Sequence, residues 1–518
     1  MNSLAKVWQP VEVSATAKAD FVNPYTDVTV WIEWQQVGGN GTPLRRPAYW
    51  DGGNTWRVRF APPTAGQWVG KWFSQPADEG LVDEATIDAT PYDSAEPLLN
   101  RGLLRMSSGG RSVIHADGTS WLMVADTAWA LPWRATEAQA EAYAADRRSK
   151  GFNAALLMTV QPDMKAVGPR DRTALDGFDV GFEDLSDGHL NQMNVSYFQN
   201  LDRLMAILLR HGIVPVYQPV FHGYGWKGLD TAGRVVGPAE YARYCRYLVA
   251  RYGASPAIWL IGADGHGTEP GVSAGGREVE QWDCYRQPTG MHYAPMHHAN
   301  INQGERWLDF QWCQTGHLGE HLPERVAEMT RNLPTKAVAN GEPTYERIGH
   351  PDRGVGWWQG HEAWANLCAG GTMGVVYGAG SLWQWRLTRD EAHAGWCCAE
   401  HADWRDALAF EGSNYVGIVG KIFAGLPCAD MREDFITTLP AGRALVVPGR
   451  LLVKYQEFGD GFAVLFEDVP RNYRVHDPRT GEVIGRGQLG TGARPRVELG
   501  RDRQPRVVVF CDEFAESD

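Results

Sequence analysis

The strongest constraint on the fold is a rhythm. Between residues 121 and 378, short apolar, β-prone runs alternate with longer amphipathic stretches. The runs cover 121–125, 152–159, 213–218, 257–261, 291–293, 307–314, 336–340 and 374–378. Helix signals recur between them. Thr136-Glu137 opens and Gly151 closes a helix over 136–150, and Leu201, Leu204, Met205 and Leu208 share one face of a helix over 197–210. Further helices are predicted over 240–252, 323–331 and 358–370. Near-continuous apolar strands separated by helices suit a parallel sheet buried on both faces. Eight such units over about 300 residues predict a (β/α)8 TIM barrel, with 291–293 as its weakest strand. A doubly wound open sheet is the alternative, but no Gly-rich phosphate fingerprint follows any strand.

The flanks have a different period. Before residue 95 come short strands such as 28–34, 55–60 and 66–73, separated by turns such as Gly38-Gly39-Asn40-Gly41. After residue 430 come 444–447, 451–455, 461–466 and 506–510. Short strands at this spacing predict β-sandwiches. The chain is therefore read as an N-terminal β-sandwich over 1–95, a catalytic barrel over 96–430 and a C-terminal β-sandwich over 431–518. The N-terminal sandwich suits a structural prop better than a carbohydrate-binding module, since fold does not imply function.

In a barrel the chemistry lies at the C-terminal ends of the strands. The candidates there are Asp126 and Trp129 after the first strand, Gln161 after the second, His222 after the third and Asp264 after the fourth. His292 follows the fifth, His317 the sixth and Glu342 the seventh, with Tyr377 and Trp383 at the eighth. Glu342 lies in Asn340-Gly341-Glu342-Pro343, where Pro343 stops the strand. Strands four and seven face each other across the barrel mouth, so Asp264 and Glu342 would oppose one another. Glycoside hydrolysis needs such a pair: one carboxyl protonates the leaving oxygen, and the other attacks the anomeric carbon or activates water. Each residue also has a plainer reading. Glu342 could be a loop carboxylate paired with Arg347 or Arg353, and Asp264 a turn residue. Glu269 and Glu280 are weaker competitors for the acid. Asp126 suits substrate hydroxyls or orientation of the site, and the histidines suit hydrogen bonds to sugar hydroxyls.

Nine of the 22 tryptophans fall between Trp307 and Trp404, beside these polar motifs, where aromatic faces could stack on sugar rings. The net charge of −13 argues against nucleic acid or an anionic membrane as main partner and leaves a neutral sugar open. The sequence calls for no cofactor. His393, Cys397, Cys398 and His401 crowd ligand types together, but adjacent cysteines make poor tetrahedral partners, so no metal is assigned there or at His297-His298. No G-x-S-x-G elbow supports a Ser-His-Asp hydrolase. The eight scattered cysteines do not form a disulfide framework, and no run reaches the length of a membrane span. Residues 1–6 lack a signal pattern, so a cytoplasmic location is expected. Self-association into a homo-oligomer is left open.

Several segments in order carry a resemblance: 121–129, 251–264, 307–317, 340–346 and 374–383. Together they resemble the apiosidase-like family of barrel glycoside hydrolases, and the first 95 residues resemble the β-sandwich commonly found ahead of that barrel. The resemblance implies a retaining mechanism with Glu342 as nucleophile and Asp264 as acid/base. It implies a carbohydrate substrate, and exo action on a plant- or microbe-derived oligosaccharide or glycoside is the expectation. Strand four ends Gly-Ala-Asp where Gly-Gly-Asp is usual, and strand five ends His-Tyr-Ala-Pro rather than His-Pro. The segments 161–194 and 265–290 look particular to this chain, so apiose is one candidate among sugars. The alternative is a non-catalytic carbohydrate-binding or scaffold protein with a decayed barrel.

Overall fold

The computed structural model describes residues 2–93, 97–165, 170–174, 177–223, 230–295, 301–316, 322–348, 354–391, 402–435, 438–439, 442–465, 468–492 and 494–514. Its centre is a closed eight-stranded barrel. The strands are β1 (Met123–Thr127), β2 (Ala154–Met158), β3 (Val214–Gln218), β4 (Ile258–Leu260), β5 (Thr289–His292), β6 (Phe310–Gln314), β7 (Ala337–Glu342) and β8 (Gly374–Tyr377). Every neighbouring pair is parallel, and β8 closes on β1. The longer helices among the described residues are α1 (Glu137–Lys150), α2 (Val195–Arg210), α3 (Pro238–Tyr252), α4 (Pro270–Trp282), α5 (Pro323–Met329), α6 (Trp357–Cys368) and α7 (Gly412–Phe423). A reciprocal Thr136/Gln139 capping box starts α1, and Gly151, in the left-handed region at φ 109°, ends it.

Two expectations shift. The strand predicted over 307–314 begins only at Phe310. The segment 265–290 contains α4, which the glycines Gly275-Gly276 conceal in the sequence. A Cβ on Gly275 would lie 2.6 Å from the Tyr241 ring of α3, and one on Gly276 2.2 Å from the Trp307 ring. Both glycines serve close packing rather than helix breaking.

Alternation along the strands sorts side chains into two layers. Met123, Ala125, Leu156, Met158, Val216, Leu260, Phe310, Trp312, Ala339 and Val376 fill the barrel. Val124, Leu157, Tyr217, Trp259, Met291, Val338, Val375 and Tyr377 pack outward in the core that includes the helices. Leu104 and Val113, from a small sheet of Leu104–Met106, Val113–His115 and Ser120–Trp121, join the interior cluster. Because β1 starts at Met123, these residues close the N-terminal end and leave the other end for the site.

Ahead of the barrel, a five-stranded and a three-stranded sheet enclose a core in which Trp34 stacks on Phe60. The larger sheet is antiparallel except where Asn2–Lys6 joins Glu84–Thr90 in parallel. Buried Arg46 ties this unit to α3, donating to the Val249 carbonyl at 2.9 Å. Asp202 of α2 receives Arg59 from the sandwich at 2.7 Å and Arg251 from α3 at 2.8 Å. After the barrel, a six-stranded and a three-stranded antiparallel sheet surround Val446, Leu452, Phe462 and Phe510. Tyr455 of Leu451–Gln456 stacks on Trp364 of α6. No helix among the described residues is long and apolar enough to cross a membrane.

Candidate active site

Strand parity puts Gln218, His292 and Gln314 above the apolar filling of the barrel, each ending its strand on the inward face. Simple alternation would turn Glu342 outward, because Gly341 already faces inward. A bulge reverses this. Cys313 pairs with Asn340, and Gln314 pairs next with Glu342, so Gly341 is an extra residue in β7. The bulge brings Glu342 onto the same face as Gln314. Gly341 must be glycine here: a Cβ would fall 0.5 Å from Trp312 Nε1. The missing side chain is the seat of the indole.

Asp264 follows β4 in the left-handed region at φ 53°, a conformation that Asp tolerates better than most residues. Gly223 leaves the room it needs, since a Cβ there would meet Asp264 Cβ at 2.4 Å and the Phe221 ring at 3.0 Å.

These residues form one hydrogen-bonded cluster. Gln314 Nε2 donates to Asp264 Oδ1 at 2.8 Å and also to Glu342 Oε2. Gln218 Nε2 lies 2.9 Å from His292 Nδ1, and Gln314 Nε2 lies 3.3 Å from the other ring nitrogen, His292 Nε2. That nitrogen lies 3.3 Å from Glu342 Oε2 and 3.5 Å from Asp264 Oδ1. Burial, then the charge of Glu342 and a hydrogen bond with it, holds the Asp264 carboxyl well above the usual carboxylate range, against the pull of Gln314. Tyr345 hydrogen-bonds Glu342, and its ring lies under Gly378, where a Cβ would come within 2.2 Å.

One oxygen of each carboxylate and a His292 nitrogen lie within 4.8 Å of one another, so the trio also has donor types suited to a divalent cation. The arrangement fits one poorly. The Gln314 amide nitrogen, hydrogen-bonded to both carboxylates, stands between them, where a cation would.

The other predicted residues separate into two groups. Trp129 packs edge-to-face on Trp383 at 5.3 Å and on Phe221 at 4.9 Å, so an aromatic wall reaches Asp264. His222 is buried and accepts the Ala263 N–H on Nδ1 at 3.4 Å; burial pushes its pKa down to about 4. Its Nε2 and Gln161 Oε1 are buried without hydrogen-bond partners. Asp126 and Tyr377, in contrast, point outward. Asp126 is fully buried in an ion pair with Arg147 of α1 at 2.5 Å, and Tyr377 donates to Glu346 at 2.6 Å. Their expected contact with substrate gives way to fastening of the outer layer, because the inward positions beside them belong to Ala125 and Val376. The ion-pair reading of Glu342 also fails for Arg347, whose guanidinium lies over the Phe410 ring at 4.4 Å. Glu280 pairs with Arg286, and Glu269 accepts the N–H groups of His266 and Gly267. His317, Arg353, His297-His298 and the His393–His401 cluster lie outside the described residues. Gln218, Gln314 and Tyr345 escaped the sequence reading. The first two could have been found as the last inward position of their strands.

The profile described as the apiosidase-like catalytic domain matches residues 107–430. A second, a domain of unknown function, DUF5060, matches residues 5–73. Three solved structures are similar in fold. One, described as a glycoside hydrolase, is 19% identical over 80% of this chain and 98% of its own, with a TM-score of 0.64. A glycoside hydrolase family 5 protein from Bacteroides vulgatus is 19% identical over 80% of this chain and 94% of its own, with a TM-score of 0.62. Another Bacteroides vulgatus protein, provisionally assigned as a glycoside hydrolase, is 15% identical over 98% of this chain and 100% of its own, with a TM-score of 0.71. No curated protein matches the chain.

Proposed function

The chain belongs to the apiosidase-like family and is a glycoside hydrolase, and from that premise we propose that it is a retaining, exo-acting enzyme with Glu342 as nucleophile and Asp264 as acid/base. The observation that carries the reading is the single Gln314 amide hydrogen-bonded to both carboxylates. Retaining enzymes hold their carboxyls roughly 5–5.5 Å apart, whereas inverting enzymes need roughly 6.5–9.5 Å to admit a water. The closeness of this pair favours the first.

In the first step the Glu342 carboxylate attacks the anomeric carbon, and the bond to the leaving oxygen breaks. Asp264 gives that oxygen its proton. In the second step the Asp264 carboxylate takes a proton from water, whose oxygen attacks the anomeric carbon and frees Glu342. The raised pKa keeps Asp264 charged with its proton before the first step. His292 and Gln314 aim both groups. Gln161 Oε1 and His222 Nε2 are free to meet sugar hydroxyls, and the Trp129–Trp383 wall offers a stacking face. Glu342 is only 5% exposed and His292 not at all, which favours a site reached by a chain end over an open cleft. The substrate we propose is a plant- or microbe-derived oligosaccharide or glycoside.

The test is an aryl-glycoside panel with the wild type, Glu342→Gln and Asp264→Asn. Glu342→Gln should abolish hydrolysis. Asp264→Asn should lose about 10²–10⁴-fold on poor leaving groups, less on good ones, and recover with azide. NMR should show a product of retained anomeric configuration. Full activity in Glu342→Gln would move the nucleophile elsewhere. Sugar binding without turnover on any glycoside would favour the decayed barrel.

A further inference from the structure

A pocket of about 310 Å³ lies where the C-terminal sandwich meets α5 and α6. Small-molecule sites start near that size, at roughly 300 Å³. Its lining shares no residue with the candidate active site. Two phenyl rings stand at it exposed, Phe435 at 54% and Phe458 at 65%. Both are pinned through their carbonyls: Phe435 accepts the Gly442 N–H at 3.1 Å, and Phe458 accepts Gln456 Nε2 at 2.7 Å. Paired exposed rings beside a pocket mark a surface that binds something.

The same lining holds a positive charge without a counter-charge. Lys454 is 4% exposed. Its ammonium has three hydrogens to donate, and the Arg443 carbonyl takes one at 3.3 Å. The amine lies over Gly442, where a Cβ would come within 2.6 Å of Nζ. Gly442 and Arg443 line the pocket as well. No carboxylate among the described residues pairs with Lys454. Arg443 takes Glu324 at 3.0 Å and Glu433 at 3.3 Å. Glu457, the one acid among the described lining residues, acts on His361 and Tyr455, which hold each other at 2.8 Å. Burial pulls the Lys454 pKa below the ordinary lysine value. Cys368 pulls the other way, but burial keeps it a neutral thiol, with its own pKa pushed up to about 11.

A lysine this buried is rarely left unpaired. Water can enter the pocket, but it neither neutralises the ammonium nor covers the rings. An inorganic anion would answer Lys454 and leave the rings bare. A neutral sugar would do the reverse. A sugar residue that carries a carboxylate answers both: its C–H face lies on a phenyl ring, and its carboxylate takes charge-assisted hydrogen bonds from the amine. We propose that this pocket is a second carbohydrate site, which binds a uronic acid residue through Lys454, Phe435 and Phe458.

The test uses the whole chain and reads binding without turnover, so it stands or falls apart from the roles of Glu342 and Asp264. Methyl β-glucuronide, methyl β-glucoside and sodium sulfate are titrated in separately at equal ionic strength and followed by calorimetry. The two glycosides differ in the carboxylate alone. Saturable binding of the glucuronide is expected, at least about tenfold tighter than the glucoside. Lys454→Met removes the charge at similar length, and Phe458→Ala removes an exposed ring. Each should weaken glucuronide binding about tenfold or more, with folding checked by circular dichroism. A crystal of the complex should place the carboxylate beside Lys454 Nζ. No saturable glucuronide binding, equal affinity for the glucoside, or unchanged binding in both variants would overturn the site. Sulfate binding without glucuronide binding would reduce it to an anion site and overturn the sugar. A dimer in sedimentation that Phe458→Ala dissolves would give the rings to a second copy of the chain and overturn it too.

Discussion

Asp264 holds a proton that an ordinary carboxyl would have lost, and this has a cost in stability. The unfolded chain releases that proton at the usual carboxylate pKa, whereas the folded chain keeps it until its raised pKa. The carboxyl therefore destabilises the fold by about 1.4 kcal/mol for each pH unit between those two values. Asp264→Asn has no proton to keep. Its stability relative to the wild type, read from denaturant titrations, should rise from pH 5 to pH 7; the same difference at both would refute the raised pKa. Gln314 acts on the same group with the opposite sign, because its hydrogen bond lowers the Asp264 pKa. Gln314→Leu should lower kcat about 10–100-fold, as expected for a lost positioning donor. It should also move the alkaline limb of the kcat profile to higher pH. An unmoved limb would mean that the amide is a spectator.

At the scale of elements, the β7 bulge decides where Glu342 points. Gly341→Ala places a methyl group inside the Trp312 indole. The ring or the strand must move, which should cost about 1–3 kcal/mol or more and most of the activity. Combining it with Trp312→Leu should cost less than the sum of the two single changes, because the clash is shared; strict additivity in thermal and denaturant unfolding would count against the seat. This element also shows what a sequence conveys. The strands were legible because apolar runs with turn residues at their ends have few other uses, and β4 and β7 gave up their carboxylates for the same reason. Which way a strand-end residue faces was not legible without counting from a known inward residue. Asp126 follows inward Ala125 and Tyr377 follows inward Val376, so both turn toward the helices. Gln314 shares the face of Phe310 and Trp312, but an amide draws no attention in a search for acids and histidines. A one-residue bulge leaves no mark on alternation at all, and Gly275-Gly276 concealed α4 because close packing and helix breaking use the same residue.

Across the whole molecule, the N-terminal sandwich and the barrel meet at the Asp202 carboxylate. Burial pushes the Asp202 pKa up, but the charges of Arg251 and Arg59 and their hydrogen bonds outweigh it and hold the pKa below the usual range. Its contribution is fully present above the ordinary carboxylate pKa and is lost as pH falls through the lowered one. Asp202→Asn should cost about 3–5 kcal/mol at neutral pH, because it leaves two arginines short of a counter-charge, and the deficit should shrink in acid. A neutral-pH unfolding curve that matches the wild type would show that the Asp202 ion pairs add nothing to the hold between the two units. The polar layer in the barrel mouth has a different reach. Gln218, His292, Gln314 and Glu342 all belong to strands, and none belongs to a connecting loop. The proposed nucleophile and the groups that aim it are thus set in the wall of the vessel, while Asp264 stands on the connection that follows β4. Grafting the βα connections of a relative onto this barrel, the one after β4 excepted, should transplant an appetite without disturbing Glu342, His292 or Gln314.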